Sequence, residues 1–201
     1  MLHDILLWIS NNYIEVIGSI FGLLYILLSI KQNIWCWPIG FITSALYIYV
    51  FFVTKFYADM GLQVYYLVIS LYGWYYWMFG AKSKKQDDLK ISRTNIKLGI
   101  HLFIINAVLF VFISYILVNF TDSEVPYWDA FTTAASFVAT WMLAKKIIEH
   151  WIIWIIVDSV SLGLYIYKGL YPTVILFAVY TVLAILGYIE WKKGLNKKLS
   201  A

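Results

Sequence analysis

The chain reads as an all-α polytopic membrane protein with seven transmembrane helices, and three observations predict it. Of its 201 residues 63% are hydrophobic and only 13% charged, more apolar surface than a soluble domain has interior to hide. The apolar residues come in runs near the roughly 20-residue length that crosses a bilayer core. The lysines and the arginine fall between those runs or at their edges. That placement reads as a topology signal, so the formal charge of +4 does not point to nucleic acid. One cysteine, Cys36, allows neither an internal disulfide nor a thiolate metal site, and no cofactor is expected. The opening dozen residues carry Asp4 and no Lys or Arg before their apolar stretch, unlike a cleavable signal peptide.

Splitting at polar clusters gives segments 14–30, 34–53, 60–79, 97–118, 127–143, 150–167 and 172–190. The first holds Gly18 and Gly22, a G-x-x-x-G spacing that lets another helix approach closely. The second opens with Trp35-Cys-Trp37-Pro38, where proline in the first turn is tolerated. Trp35 reads as an interfacial belt residue; Trp37 is either that or a ligand contact. The third reads LQVYYLVISLYGWYYW, with Gln63, Tyr66 and Ser70 at i, i+3 and i+7 on one face. Gln63 is the clearest candidate there, because an amide in an apolar helix needs both donor and acceptor partners. Tyr66 and Ser70 either join it or only bond neighbouring helices. Trp74, Tyr75, Tyr76 and Trp77 look like an interfacial belt.

Residues 81–97 form the most polar loop and read as a solvated linker, with mixed charge around Asp87 and Asp88. The fourth segment carries His101 and Asn106; His101 reads as a packed or interfacial group. Asp122, Glu124 and Asp129 follow without the ligand density of a calcium loop, and Pro126 starts the fifth helix. The sixth, HWIIWIIVDSVSLGLYIY, stacks Trp151, Trp154 and Asp158 at i, i+3 and i+7. Two indoles and a carboxylate on one stripe suit a planar, positively charged ligand of vitamin size. A carboxylate at membrane depth is costly and by default faces a bundle interior or a wet cavity; the alternative is packing against Tyr or Ser of adjacent helices. The last helix follows Tyr171-Pro172 and ends at Trp191.

Seven spans put Lys31, the 82–97 cluster, Lys145, Lys146 and the four terminal lysines on one side, against Lys55 and Lys168 on the other. The positive-inside rule then predicts an outside N-terminus and a cytoplasmic C-terminus. A weak repeat supports the count: LYIY at 46–49 recurs at 164–167, and YGWYYW at 72–77 is echoed by LGYIEW at 186–191, four residues shorter between. The expected layout is one membrane transporter domain over 1–201: a three-helix repeat at 14–79, a connector helix at 97–118 and a second repeat at 127–190. An odd connector makes the repeats parallel, as in transporters with an axis along the membrane normal. No Walker motif, HExxH or G-x-S-x-G occurs, so an enzyme is not expected.

WPIG at 37–40, YADxxLQxxY at 57–66, YGWYxW at 72–77, PYWD at 126–129 and WxxW at 151–154 together resemble the PnuC family of bacterial vitamin transporters, over nearly the whole chain. The resemblance implies a three-plus-one-plus-three architecture related to SWEET-type sugar transporters, usually a homotrimer in the bacterial inner membrane. It implies uptake of nicotinamide riboside by facilitated diffusion, with phosphorylation by a cytoplasmic kinase trapping the product. It carries base-holding roles onto Trp151 and Trp154 and a binding role onto Gln63. Where riboside carriers tend to have asparagine, this chain has Asp158. The substrate therefore stays open between nicotinamide riboside and thiamine, both aromatic cations that an ionised Asp158 would stabilise. Neutral riboflavin ranks below them.

Overall fold

In a computed structural model of the chain the described residues form seven helices: α1 Tyr13–Ile30, α2 Cys36–Val53, α3 Tyr57–Ser83, α4 Ile96–Phe120, α5 Pro126–Ala144, α6 His150–Tyr167 and α7 Tyr171–Lys197. The structure describes residues 13–53, 57–83, 89–167, 169 and 171–197, with the backbone alone at 14, 15, 57–59, 81–83, 171, 172 and 197. The opening dozen residues with Asp4, and Lys55, Lys84, Lys85, Asp87, Asp88, Lys168 and Lys198, lie outside the described residues. Each helix falls on one expected apolar segment. α3 and α7 are longer than their apolar runs, at 27 residues each, and continue through Gly80 and Gly194 into their polar ends.

Among the described residues four helices have the length and hydropathy to cross a bilayer: Cys36–Val53, Ile96–Phe120, His150–Tyr167 and most of α7, Thr173–Asn196. α5 is less apolar for a physical reason. It buries Ala130, Ala134, Ala135, Ser136, Val138, Ala139 and Thr140 against protein, and small side chains let helix backbones approach closely. Its start is fixed locally by Pro126 in the first turn and by Ser123, whose hydroxyl donates to Asp129 Oδ2 at 2.6 Å. α4 is capped by Asn95, whose side chain accepts from the Leu98 amide at 2.7 Å, satisfying an orphan donor of the first turn.

The chain forms two compact units, residues 1–79 and 80–201. In the first, α1 packs on α2. Gly18 is where they meet, since a Cβ there would stand 3.0 Å from the Tyr47 ring, and the Tyr47 hydroxyl shares a hydrogen bond with Ser19 at 3.1 Å. In the second, α4 packs on α5, α5 on α6 and α6 on α7.

The polar loop before α4 is not simply solvated. Leu89 is buried, and Ser92 forms a parallel bridge to Ile147, its amide donating to Lys146 O at 2.9 Å and its carbonyl accepting from Ile148 at 3.0 Å. The Thr94 amide and hydroxyl both donate to Glu149 Oε2, at 3.0 and 3.1 Å. Residues 89–95 are thus a strap across the α5–α6 turn. Composition alone hid this, because backbone pairing leaves no mark in charge or hydropathy. His101 is exposed, with Nδ1 donating to Lys97 O.

The α1–α2 and α5–α6 turns are built alike, with counterparts 114 positions apart. Gln32 and Lys146 both have φ 53°. Gln32 donates to Ser29 O at 3.0 Å and Lys146 to Leu143 O at 2.9 Å; Asn33 donates to Leu28 O and Ile147 to Met142 O, both at 2.9 Å. α2 and α6 both have 18 residues. YGWYYW and LGYIEW are in this register, whereas the LYIY pair is 118 apart and so one helical turn out of it. No residue is lost between the matched helices, contrary to the sequence alignment.

Candidate functional site

α6 presents its buried face through His150, Trp151, Val157, Asp158 and Ser161, the inward stripe that the 3.6-residue period predicts. Trp151 is 3% exposed and Asp158 6%, while Trp154, on the same stripe, is half-buried. Asp158 has no hydrogen bond or ion pair to any described residue. A buried carboxylate left in that state is costly, because the hydration it gave up is not replaced. No described aromatic ring stacks on the Trp154 indole.

Trp151 is held differently. Its indole lies over Gly187 of α7, where a Cβ would stand 2.7 Å from three ring atoms. It packs edge-on against Trp191 at 5.8 Å and lies tilted against the ring of His150 at 4.5 Å. His150 is fully buried, with Nδ1 donating to Ile147 O at 2.7 Å. That bond fixes the proton on Nδ1 and leaves Nε2 an acceptor, which has no partner among the described residues; the Trp151 Nε1 donor has none either. The same arrangement occurs in the first unit. Trp37 lies over Gly73, where a Cβ would stand 2.4 Å from its ring, and meets Trp77 edge-on at 5.4 Å. Its Nε1 is likewise buried without a described partner.

These packings revise two readings. Trp77 is buried and is not part of an interfacial belt, although Trp74 and Tyr75 beside it are exposed; Trp35 is 62% exposed, as a belt residue should be. Trp37 is fully buried, so its belt reading falls. On α3, Gln63 and Tyr66 are half-buried and Ser70 is buried. Among the described residues the Gln63 amide has no hydrogen-bond partner. The Ser70 hydroxyl donates to Tyr66 O at 2.7 Å, which spends its proton on its own helix and leaves only acceptor capacity. Gln63, Tyr66, Ser70 and Trp37 belong to the first unit and Trp151, Trp154 and Asp158 to the second.

The sequence reading missed His150, Gly187 and Trp191 as a cluster with Trp151. Their signal was present in the match of YGWYYW to LGYIEW, which sets Gly73 against Gly187 and Trp77 against Trp191. Two apolar grooves, of about 480 and 570 Å³, lie elsewhere: one lined by Tyr13, Phe41 and Tyr49 among others, one along α4 by Val108, Val111, Phe112 and Tyr115.

A family model described as the nicotinamide mononucleotide transporter matches residues 12–193. The chain belongs to that family. Among curated relatives of this PnuC-type family, the nicotinamide riboside transporter PnuC of Escherichia coli (strain K12) is 26% identical over 205 residues, covering 90% of this chain and 85% of the relative. The riboflavin/roseoflavin transporter RibM of Streptomyces davaonensis is 27% identical over 178 residues, covering 88% of this chain and 83% of the relative. A crystal structure of the vitamin B3 transporter PnuC superposes with a TM-score of 0.77 at 20% identity, over 97% of this chain and 87% of that one, so the folds agree. The chain is therefore a multi-pass membrane vitamin transporter of the PnuC family, and not an enzyme.

Proposed function

We propose that this transporter takes up a cationic aromatic vitamin, nicotinamide riboside, by facilitated diffusion, and that a cytoplasmic kinase traps the product by phosphorylation. The observation that carries the charge of the substrate is Asp158, a buried carboxylate that no described residue neutralises. A pyridinium brought beside it would supply the missing counter-charge, and indole faces attract such a ring. Trp154 is the proposed stacking surface. The Nε1 groups of Trp151 and Trp37 are buried donors without described partners, suited to a carboxamide or a ribose hydroxyl. Gln63, with Tyr66 and Ser70, is the proposed hydrogen-bonding set of the first unit. The N-terminus outside, the C-terminus in the cytoplasm and a homotrimer in the inner membrane complete the reading.

Thiamine is the second reading, favoured by Asp158 itself, since the resemblance to riboside carriers leads one to expect asparagine there. Riboflavin, named for one relative, is neutral and would leave the carboxylate unmatched. The deciding experiment titrates the purified protein with nicotinamide riboside, thiamine and riboflavin, following heat and tryptophan fluorescence, and repeats each on Trp154→Ala. Saturable riboside binding lost in the variant supports the main reading. Thiamine binding alone transfers the protein to the second, and binding of none of the three refutes both.

A further inference from the structure

The two units share a turn and a register but fill the space beside it differently. In the first, a Cβ on Gly40 would stand 2.9 Å from Cε2 of Tyr25 and 3.2 Å from Ser70 Oγ. The backbone of α2 is closed over by side chains of α1 and α3. The residues 114 positions later are Ala139 for Tyr25, Trp154 for Gly40 and Ala184 for Ser70. Both alanines are buried, at 0% and 2% exposure. The large residue has moved from the flank to the centre. Where the first unit has a tyrosine and a serine around a glycine, the second has two alanines around an indole.

A second tyrosine is lost about two turns further on. Tyr47, which fills the space beside Gly18 in the first unit, has Ser161 as its counterpart, three residues after Asp158 and buried with it. Two tyrosines of the first unit are thus an alanine and a serine in the second, and only one of those losses faces a gained indole. The flank of Asp158 is the side left with the smaller residue.

We propose that Ala139 and Ala184 seat the indole of Trp154 and thereby set which flat ring the second unit accepts. The proposal rests on the reading of Trp154 as the ring-stacking residue. Close packing leaves no slack at such a position, because interiors are filled to crystal-like density. A side chain larger than methyl at 139 or 184 would shift the indole and change the width left for a ring. The alanines are positioning residues and do not themselves touch substrate. The first unit has no side chain at the matching place and Tyr25 closes over it, so that place offers no stacking surface there.

The test uses the full-length purified protein, with thermal unfolding and ligand titration as separate readouts. Ala139→Tyr alone adds a ring beside Trp154 and should lower the melting temperature by several degrees. The pair Ala139→Tyr with Trp154→Gly restores the large–small arrangement of Tyr25 and Gly40 and should recover most of that loss. A pair no more stable than Ala139→Tyr overturns the seating. Ala184→Val should weaken riboside binding by about tenfold, the scale of one or two misplaced methyl groups in a binding pocket. It should also shift the tryptophan emission and alter the ratio of riboside to thiamine affinity, while Ala184→Ser, the residue found in the first unit, should stay close to wild type. A folded Ala184→Val with unchanged affinities, ratio and emission overturns the proposal. Wild-type protein that binds neither compound would refute the substrate reading alone, and the melting-temperature comparison would still decide the seating.

Discussion

The indole of Trp151 lies over Gly187, close enough that a β-carbon there would sit 2.7 Å from three of its ring atoms. Trp37 stands in the same relation to Gly73, at 2.4 Å. Both contacts are with rigid rings that cannot fold away. Gly187→Ala and Gly73→Ala should each destabilise the protein by about 1–3 kcal/mol, the usual cost of overpacking. Gly163→Ala is the control, since nothing lies within 4 Å of a Cβ there. It should stabilise α6 by roughly 0.5–1 kcal/mol through helix propensity. Thermal unfolding of the three variants in one detergent decides the matter, and equal shifts at 163 and 187 would contradict the packing.

Asp158→Asn should separate stability from binding. Removing a buried charge that no described group compensates should raise stability by about 1–3 kcal/mol, while affinity for an aromatic cation falls by roughly 10- to 100-fold. Paired melting and titration curves on one preparation test both. A variant that loses stability would mean that the carboxylate is a packing group.

The strap makes a prediction of its own. Glu149→Ala removes the acceptor of the Thr94 amide and hydroxyl and should cost about 1.5–3 kcal/mol, the range for hydrogen bonds to a charged group. Hydrogen exchange should accelerate first at Ser92 and Ile148, whose amides hold the bridge. Unchanged protection there would show the strap to be held by other groups.

The helices were legible in the sequence because bilayer length and the spacing of polar clusters encode them directly. The stripe that turns Trp151 and Asp158 inward was legible too, since their positions and a 3.6-residue period suffice. The distinct fates of its members were not. That Trp151 packs on Gly187 while Trp154 has no described ring over it depends on where α7 passes, which periodicity within α6 cannot contain. Ser70 illustrates the same limit: its position on the face was right, but its hydroxyl is bonded to the Tyr66 carbonyl of its own helix. The LYIY match failed for a compositional reason, aromatic tetrapeptides recurring easily in a chain that is 20% aromatic.

Gln32 carries a positive φ of 53° without being glycine, a conformation that costs an L-residue roughly 1–2 kcal/mol. Gln32→Gly should recover up to about 1 kcal/mol, part of the relief being offset by entropy gained in the unfolded chain. Gln32→Val should be clearly worse than either, because β-branched residues tolerate that region least. Melting temperatures in the order Gly, Gln, Val confirm the turn; Val matching Gln contradicts it.

Cys36 is the chain's single thiol and is fully enclosed at the start of α2. The wild-type protein is therefore already a silent background for sulfhydryl reagents. A cysteine introduced at any exposed position would be the sole target of a water-soluble maleimide or a spin label, with no native residue to remove first. Accessibility from each face of the membrane, and distances between protomers if they assemble, can be read on a polypeptide that differs from the natural one at one position.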